Sequence, residues 1–246
     1  MIKIIHILTK FVVAFIISIL FSSCKHDLNF GNDVEGNGNI ITKTRTISED
    51  FKSITVSTAI QVTIEQSNTK SILVVTDSNL QEIINTTVEN GILVIHPKES
   101  FDASQTPKII IKMPIIEALE AASGSEIRSI NTLKGGDLSI ATSSAAAVNV
   151  NIEFENIIID ASSGSTITAN GKAIKLTTSA SSGSKIIVKN LFVNQVTADA
   201  SSGAEIIVHP ILSLNAEASS GAQIKYHRNP KTIRRKTSSG GSIDKQ

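Results

Sequence analysis

The segment Ala180-Ser181-Ser182-Gly183-Ser184-Lys185-Ile186 returns as near-copies through the second half of the 246-residue chain. With its glycine or the equivalent residue as the marker, the copies centre on Gly124, Ala145, Gly164, Gly183, Gly203, Gly221 and Gly240. The steps between markers are 21, 19, 19, 20, 18 and 19 residues. A fixed period of about 20 residues indicates a solenoid, in which each repeat buries its apolar side only against its neighbours.

Apolar residues stand at odd offsets from the marker within each repeat. The third residue after the marker is Ile127, Val148, Ile167, Ile186, Ile206, Ile224 and Ile243. Odd offsets lie on one face of an extended chain, so this is the periodicity of strands and not of helices. We therefore predict an all-β fold, a parallel β-helix with about seven short coils of roughly 19–20 residues, stacked about 4.8 Å apart. A less regular strand-rich half precedes these coils.

A serine stands directly before the marker in every copy. The five Ser-Gly pairs are Ser123-Gly124, Ser163-Gly164, Ser182-Gly183, Ser202-Gly203 and Ser220-Gly221. The odd offset predicts that these serines point inward at a tight corner, where glycine permits backbone angles that other residues resist. A buried hydroxyl needs a hydrogen-bond partner, so we expect the serines to bond along their own column or to corner carbonyls. The alternative is an exposed serine column that binds a ligand.

The chain opens with the features of a secretory signal. Lys3 and Lys10 precede the apolar run 11–21, which is too short for a membrane span of about 20 residues, and small residues lead to Cys24. Cys24 is the only cysteine. Its position resembles the lipobox of bacterial lipoproteins, although Phe21 departs from the usual leucine. This resemblance implies a lipid anchor on Cys24, and Lys25 favours the outer membrane; the alternative is a plain signal peptide.

Composition divides the chain into four parts. We assign residues 1–23 to a lipoprotein signal peptide, 24–39 to a flexible tether, 40–224 to the β-helix and 225–246 to a basic tail or cap. Within the β-helix, residues 77–84 read as one short helix capped by Asp77. The Asn90-Gly91 pair predicts a hairpin.

The C-terminal part carries seven basic residues against Asp244. Charge at the end of a solenoid discourages end-to-end stacking, so we interpret this part as a cap. The alternative is a basic patch that contacts anionic lipid. Pro230, and Arg235 at a position that is otherwise apolar, predict that the last coil is poorly formed.

Sequence motifs for catalysis are absent. None of the five histidines stands at metal-ligand spacing from another histidine, a cysteine or a carboxylate. No nucleophile elbow and no phosphate-binding glycine loop occurs. One outward position, four residues before the marker, is acidic in several coils, notably Asp160, Asp199 and Glu217. Such a column could bind Ca²⁺ or act in a polysaccharide lyase or hydrolase. We interpret it as a solvated polar face, and we predict no catalytic residue, no metal and no cofactor.

Composition also limits the ligands. The chain has one tyrosine and no tryptophan, so it offers few aromatic platforms for sugars or single-stranded nucleic acid. Without the two signal lysines, 21 basic residues face 22 acidic ones. This balance argues against a nucleic-acid partner.

A family resemblance rests on motifs in a fixed order. Gly36-Asn37-Gly38-Asn39-Ile40 is followed by strands at 51–56 and 62–64, the Asn90-Gly91 turn, the strand 110–114 and then the Ser-Gly repeats. Over roughly residues 38–224 this order resembles the "putative auto-transporter adhesin, head GIN domain" family, a domain of unknown function in Bacteroidetes lipoproteins. The resemblance implies a right-handed parallel β-helix at the outer membrane or cell surface, with no catalytic residues to transfer. We thus expect a lipid-anchored adhesin that binds an extracellular glycan or protein. One alternative is an envelope polysaccharide-binding or polysaccharide-cleaving protein, and another is a scaffold that partners another envelope protein through its exposed edges.

Overall fold

The structure is a computed structural model that describes residues 33–246, so the predicted signal and the lipidation site at Cys24 lie outside the described residues. The described residues form eighteen β-strands, and no helix long and apolar enough to cross a membrane occurs among them. The strands are β1 (Val34–Glu35), β2 (Ile40–Arg45), β3 (Ser53–Val56), β4 (Gln61–Gln66), β5 (Ser71–Asp77), β6 (Ile84–Glu89), β7 (Ile92–Pro97), β8 (Phe101–Asp102), β9 (Lys108–Met113), β10 (Ala118–Ala121), β11 (Glu126–Thr142), β12 (Ala147–Ala161), β13 (Thr166–Ala180), β14 (Lys185–Ala200), β15 (Glu205–Ala218), β16 (Gln223–Tyr226), β17 (Thr232–Thr237) and β18 (Ser242–Lys245).

The repeats stack as parallel coils, which confirms the predicted β-helix of about seven turns. Each of β11 to β15 runs through most of one coil and pairs in parallel with the strand of the next coil. Ile167 of β13 lies between Val148 and Ile186 in this register. Equivalent positions of successive repeats are therefore direct neighbours.

The core of the solenoid is the stack of apolar residues at the odd offsets. The third residue after each marker is at most 1% exposed in the first six repeats and 5% exposed at Ile243. Each coil alone is too thin to bury these side chains, whereas neighbouring coils cover them from above and below. The predicted inward face is confirmed.

A tight turn forms the corner of each coil. At Ser182-Gly183 the two φ angles are 52° and 69°. The N–H of Ser184 donates to the carbonyl of Ser181 at 3.1 Å across this pair. Two successive positive φ angles closed by such a bond are typical of a type I′ turn, for which glycine is favoured. The N–H of Gly183 donates to the carbonyl of Ser202 in the next coil at 3.0 Å, so the turns also stack.

The serine before each marker is exposed, so our prediction that it points inward is wrong. All five serines of the Ser-Gly pairs are exposed, and their φ angles are 50–52°. The cause is the turn, because its two central residues project from the corner and interrupt the alternation of the strand. The inward direction returns at the residue after the marker.

The buried hydroxyls of the corner belong to that following residue. Ser125, Ser165 and Ser184 are each 1% exposed. The hydroxyl of Ser184 donates to the carbonyl of Ala161 at 2.8 Å and accepts from the N–H of Ser181 at 3.1 Å. The expected bonding of corner hydroxyls to carbonyls is thus found two residues after the predicted serine.

We expect Ser184→Ala to lower the free energy of unfolding by about 1 kcal/mol, because the substitution removes a buried hydrogen bond. Alanine fits the position without a clash, since Ala146 and Ala204 occupy it in other coils. Chemical denaturation measures the change. The control Ser182→Ala alters an exposed side chain and should change stability by less than about 0.5 kcal/mol. A larger loss from Ser182→Ala than from Ser184→Ala would contradict the assignment.

The N-terminal half contains antiparallel strands that the later coils lack. β2 and β9 flank β5 in antiparallel orientation, and β6 pairs with β7 through the predicted Asn90-Gly91 turn. β1 pairs with β8, and the side-chain amide of Asn79 donates to the carbonyl of Glu35 at 2.7 Å. The folded body therefore includes Val34 to Asn39, which we had assigned to the tether.

The short helix predicted at residues 77–84 is wrong. Residues 78–83 form turns and Ile84 begins β6. Asp77 does not cap a helix, because its carboxylate accepts from the N–H of Gly38 and the hydroxyl of Ser104, both at 2.7 Å. Burial favours a higher pKa for Asp77, but these hydrogen bonds outweigh it and hold its pKa below the usual value. A segment this short gains little from helix formation once its cap is engaged elsewhere.

The last coil is formed, contrary to our prediction. β17 pairs with β15 over six residues, and β18 pairs with β16. No further coil of the described residues covers it, so Ile233 is 38% exposed and Arg235 is exposed at an inward-facing position. The predicted basic tail or cap is therefore an ordered strand layer at the end of the solenoid.

Candidate functional site

The outward carboxylates of the repeats lie in one column. The register places Glu120, Ala141, Asp160, Ser179, Asp199 and Glu217 side by side on successive coils. Asp199 and Glu217 are the carboxylates on adjacent coils, and Glu217 accepts from Lys236 of the last coil at 3.0 Å. Parallel strands lie about 4.8 Å apart, so the other carboxylates are about two coil spacings from each other.

Asp160 lies in a shallow depression of about 270 Å³. The depression forms because the small side chains of Ala141 and Ser179 flank Asp160 in the column. Burial raises the pKa of the Asp160 carboxyl. This carboxyl can exchange hydrogen bonds with a hydroxyl-bearing ligand, but no second carboxylate stands on either adjacent coil of its column.

Exposed serines line the corner next to the acidic column. The stacked turns repeat a hydroxyl on each coil at Ser123, Ser163, Ser182, Ser202 and Ser220, and Ser144 and Ser239 continue the row. Together with the acidic column, they give one side of the solenoid a polar, regularly spaced surface.

A polar groove crosses the coils near the C-terminal end; we call it the C-terminal groove. Its volume is about 280 Å³. The lining includes Lys175 and Arg234, the amides of Gln195 and Asn215, and the hydroxyl of Thr232. We overlooked this groove in the sequence, although the repeat period already aligned its members on four coils. Its two rows stand eight and six residues before successive markers; they are Lys175, Gln195, Ser213 and Thr232, and Thr197, Asn215 and Arg234.

An apolar groove of about 530 Å³ lies on another part of the surface. Phe154 forms its floor, while Ile174 and Phe192 project into solvent with 53% and 49% exposure. His209 lies in register with Phe192, and their ring centroids are 4.6 Å apart. His209 lies inside β15. The parity of the repeat places Ile174 and Phe192, nine and eleven residues before their markers, on the inward face, so no signal in the sequence indicated this groove.

No group of three or more histidine, cysteine, aspartate or glutamate side chains suited to hold a metal ion occurs among residues 33–246. Cys24 lies outside this range. Among the surfaces that the described residues offer a ligand are the acidic column, the serine row and the two grooves.

These features define the class of the protein. A solenoid of stacked parallel coils with open, regularly spaced surfaces is typical of elongated proteins that present a binding face. The chain belongs to the family described as "putative auto-transporter adhesin, head GIN domain", whose profile matches residues 50–230. The resemblance inferred from the sequence is confirmed.

Solved structures of similar fold come from Bacteroides and Parabacteroides species. A "putative adhesin" from Bacteroides fragilis has a TM-score of 0.80 at 17% identity, covering 87% of this chain and 100% of that chain. A "putative lipid binding protein" from Parabacteroides distasonis has a TM-score of 0.72 at 21% identity, covering 87% and 99%. A "putative adhesin" from Parabacteroides merdae has a TM-score of 0.72 at 20% identity, with the same coverages. No significant match was found among curated proteins. At these identities the likeness establishes the fold.

Proposed function

We propose that this protein is a lipid-anchored binding module of the outer membrane or cell surface, an adhesin that acts without catalysis. The observation that carries the proposal is the alignment of outward side chains in columns across the coils. A surface that repeats with a spacing of about 4.8 Å suits many weak contacts with an extended ligand. Membership of a family described as adhesins supports this function.

The test is binding of residues 24–246, with Cys24 replaced by alanine, to an array of glycans, envelope polysaccharides and extracellular-matrix proteins. Turnover of the same polysaccharides is assayed in parallel. We expect binding without turnover. Absence of binding to every member of the array would overturn the binding function. Turnover of a polysaccharide would overturn the proposal that the protein acts without catalysis.

Cleavage of a polysaccharide is the alternative, and the acidic column argues against it. A glycosidase of the usual kind needs two carboxyl groups with different roles, about 5–9.5 Å apart. Asp199 and Glu217 are on adjacent coils, but Lys236 pairs with Glu217, while Asp160 has no carboxylate beside it. If turnover is seen, loss of that turnover in Asp199→Asn would assign the site to this pair.

Membrane anchoring is the part of the proposal that depends on Cys24. We expect the wild-type protein to fractionate with membranes and Cys24→Ala to appear in the soluble fraction, because the acyl chains provide the anchoring free energy. Fractionation of cells followed by immunoblotting measures this. The control Ser23→Ala keeps the cysteine and should stay membrane-bound. Retention of Cys24→Ala on membranes would contradict lipid anchoring.

A lipid ligand is a second candidate, supported by one observation on the surface. The apolar groove exposes Ile174 and Phe192, and a structural relative from Parabacteroides distasonis is described as a "putative lipid binding protein". Titration with a fluorescent fatty acid tests this candidate. Phe192→Ser should weaken binding if the groove holds the acyl chain, whereas unchanged binding would place the fatty acid elsewhere.

A further inference from the structure

The last coil carries more basic side chains than its ion pairs engage. Lys225 and Lys236 form ion pairs with Glu205 and Glu217 of the preceding coil, at 2.8 Å and 3.0 Å. Within the described residues, the remaining basic side chains of this coil have no acidic partner within 4.0 Å; they are Arg228, Lys231, Arg234, Arg235 and Lys245. Capping the solenoid explains the two pairs, but it leaves five cations available to a ligand.

One of these cations belongs to the C-terminal groove. The register places Lys175, Gln195, Ser213 and Thr232 on successive coils, and Thr197, Asn215 and Arg234 on successive coils beside them. The groove therefore runs across the strands, along the axis of the solenoid. Three coil spacings separate Lys175 from the coil of Arg234, which is about 14 Å and close to the length of three sugar rings.

We propose that the C-terminal groove binds a segment of an acidic polysaccharide. Lys175 and Arg234 would contact carboxylate or sulfate groups, and the guanidinium of Arg234 can bind such a group through two parallel hydrogen bonds. Gln195, Asn215 and Thr232 would bond to the sugar hydroxyls between them. This inference rests on the proposed function and names the class of ligand.

The lining favours a polysaccharide over other polyanions. Lys175 and Arg234 lie on coils three steps apart, with amides and hydroxyls between them, whereas a single phospholipid headgroup would need its charges close together. No tyrosine or phenylalanine lines the groove, so neither nucleic-acid bases nor sugar rings can stack there, and binding depends on ionic contacts and hydrogen bonds. Alternating charged and hydroxyl-bearing groups of an acidic polysaccharide fit this order.

Asp199 is an acidic side chain on the same side of β14 as the groove residue Thr197. It lies two residues after Thr197, which is about 7 Å along β14. Its neighbour Glu217 is paired with Lys236, while Asp199 makes no ion pair within the described residues. Removal of the charge in Asp199→Asn should therefore strengthen binding of an acidic chain about twofold or more.

The experiment measures binding of residues 24–246 carrying Cys24→Ala to polygalacturonate and to dextran sulfate. Neutral dextran, phosphatidylglycerol vesicles and single-stranded DNA are the comparison probes. We expect binding to the two acidic polysaccharides that weakens with added salt. Lys175→Gln and Arg234→Gln should each reduce affinity about tenfold. The matched control Lys189→Gln removes an exposed charge outside the groove and should change affinity less than about twofold.

Three results would overturn the inference. One is an equal loss of affinity in Lys189→Gln and Arg234→Gln, which would indicate non-specific electrostatic attraction to the protein surface. Another is equal or tighter binding to the vesicles, to DNA or to neutral dextran. The third is binding to members of the glycan and protein array that the double variant Lys175→Gln, Arg234→Gln leaves unchanged. That result would keep the adhesin function and show that the ligand binds at another surface. Thermal unfolding of each variant should match wild type because the altered side chains are exposed.

Discussion

Replacing Ile186 by alanine should lower the free energy of unfolding by about 2–5 kcal/mol. The side chain is 0% exposed and lies between Ile167 and Ile206 of the neighbouring coils. The substitution removes buried apolar surface and leaves a cavity that strands on both sides hold open. Urea denaturation followed by circular dichroism measures the loss.

The matched control is Ile174→Ala, in the coil before. Ile174 points outward and is 53% exposed, so its truncation should cost less than about 0.5 kcal/mol. If both substitutions cost the same, the third position after the marker would not be the core of the solenoid.

Replacing Gly171 by alanine should cost about 3 kcal/mol or more. The φ angle of Gly171 is +126°, a conformation that residues with a side chain rarely adopt. A Cβ atom at this position would lie 2.0 Å from the carbonyl oxygen of Ile152 in the preceding coil. Because that oxygen is backbone, the strands must move apart to relieve the clash.

Gly183→Ala is the control for this prediction. Gly183 also has a positive φ, +69°, but a Cβ there meets no atom within 4 Å. Ala145 occupies the equivalent turn position with a φ of 61°, so alanine is tolerated at this corner. We expect Gly183→Ala to cost about 1 kcal/mol, and an equal or larger loss than that of Gly171→Ala would contradict the role of Gly171. Differential scanning calorimetry compares the two variants.

The repeat period and the parity of apolar residues were sufficient to predict the solenoid and its core. A solenoid has only nearest-neighbour contacts between coils, so Ile127, Ile167 and Ile186 are stacked once the period is known. Parity failed at the Ser-Gly corners, because a turn with two positive φ angles adds residues that belong to neither face of the strand. The capping pattern at Asp77 also misled, because the partners of its carboxylate, Gly38 and Ser104, are distant in sequence.

The sequence by itself determined the periodic backbone, the inward apolar stack and the outward acidic column, because all three follow from spacing within one repeat. Tertiary structure alone decided which outward residues share a surface where the coils differ in length. The strand pairing brings Phe154, Ile174 and Phe192 to one groove, although the odd offsets of Ile174 and Phe192 from their markers predict an inward direction. Extra residues in β14 and β15 shift that register, and no count of residues along the chain reveals where a strand accommodates its extra residue.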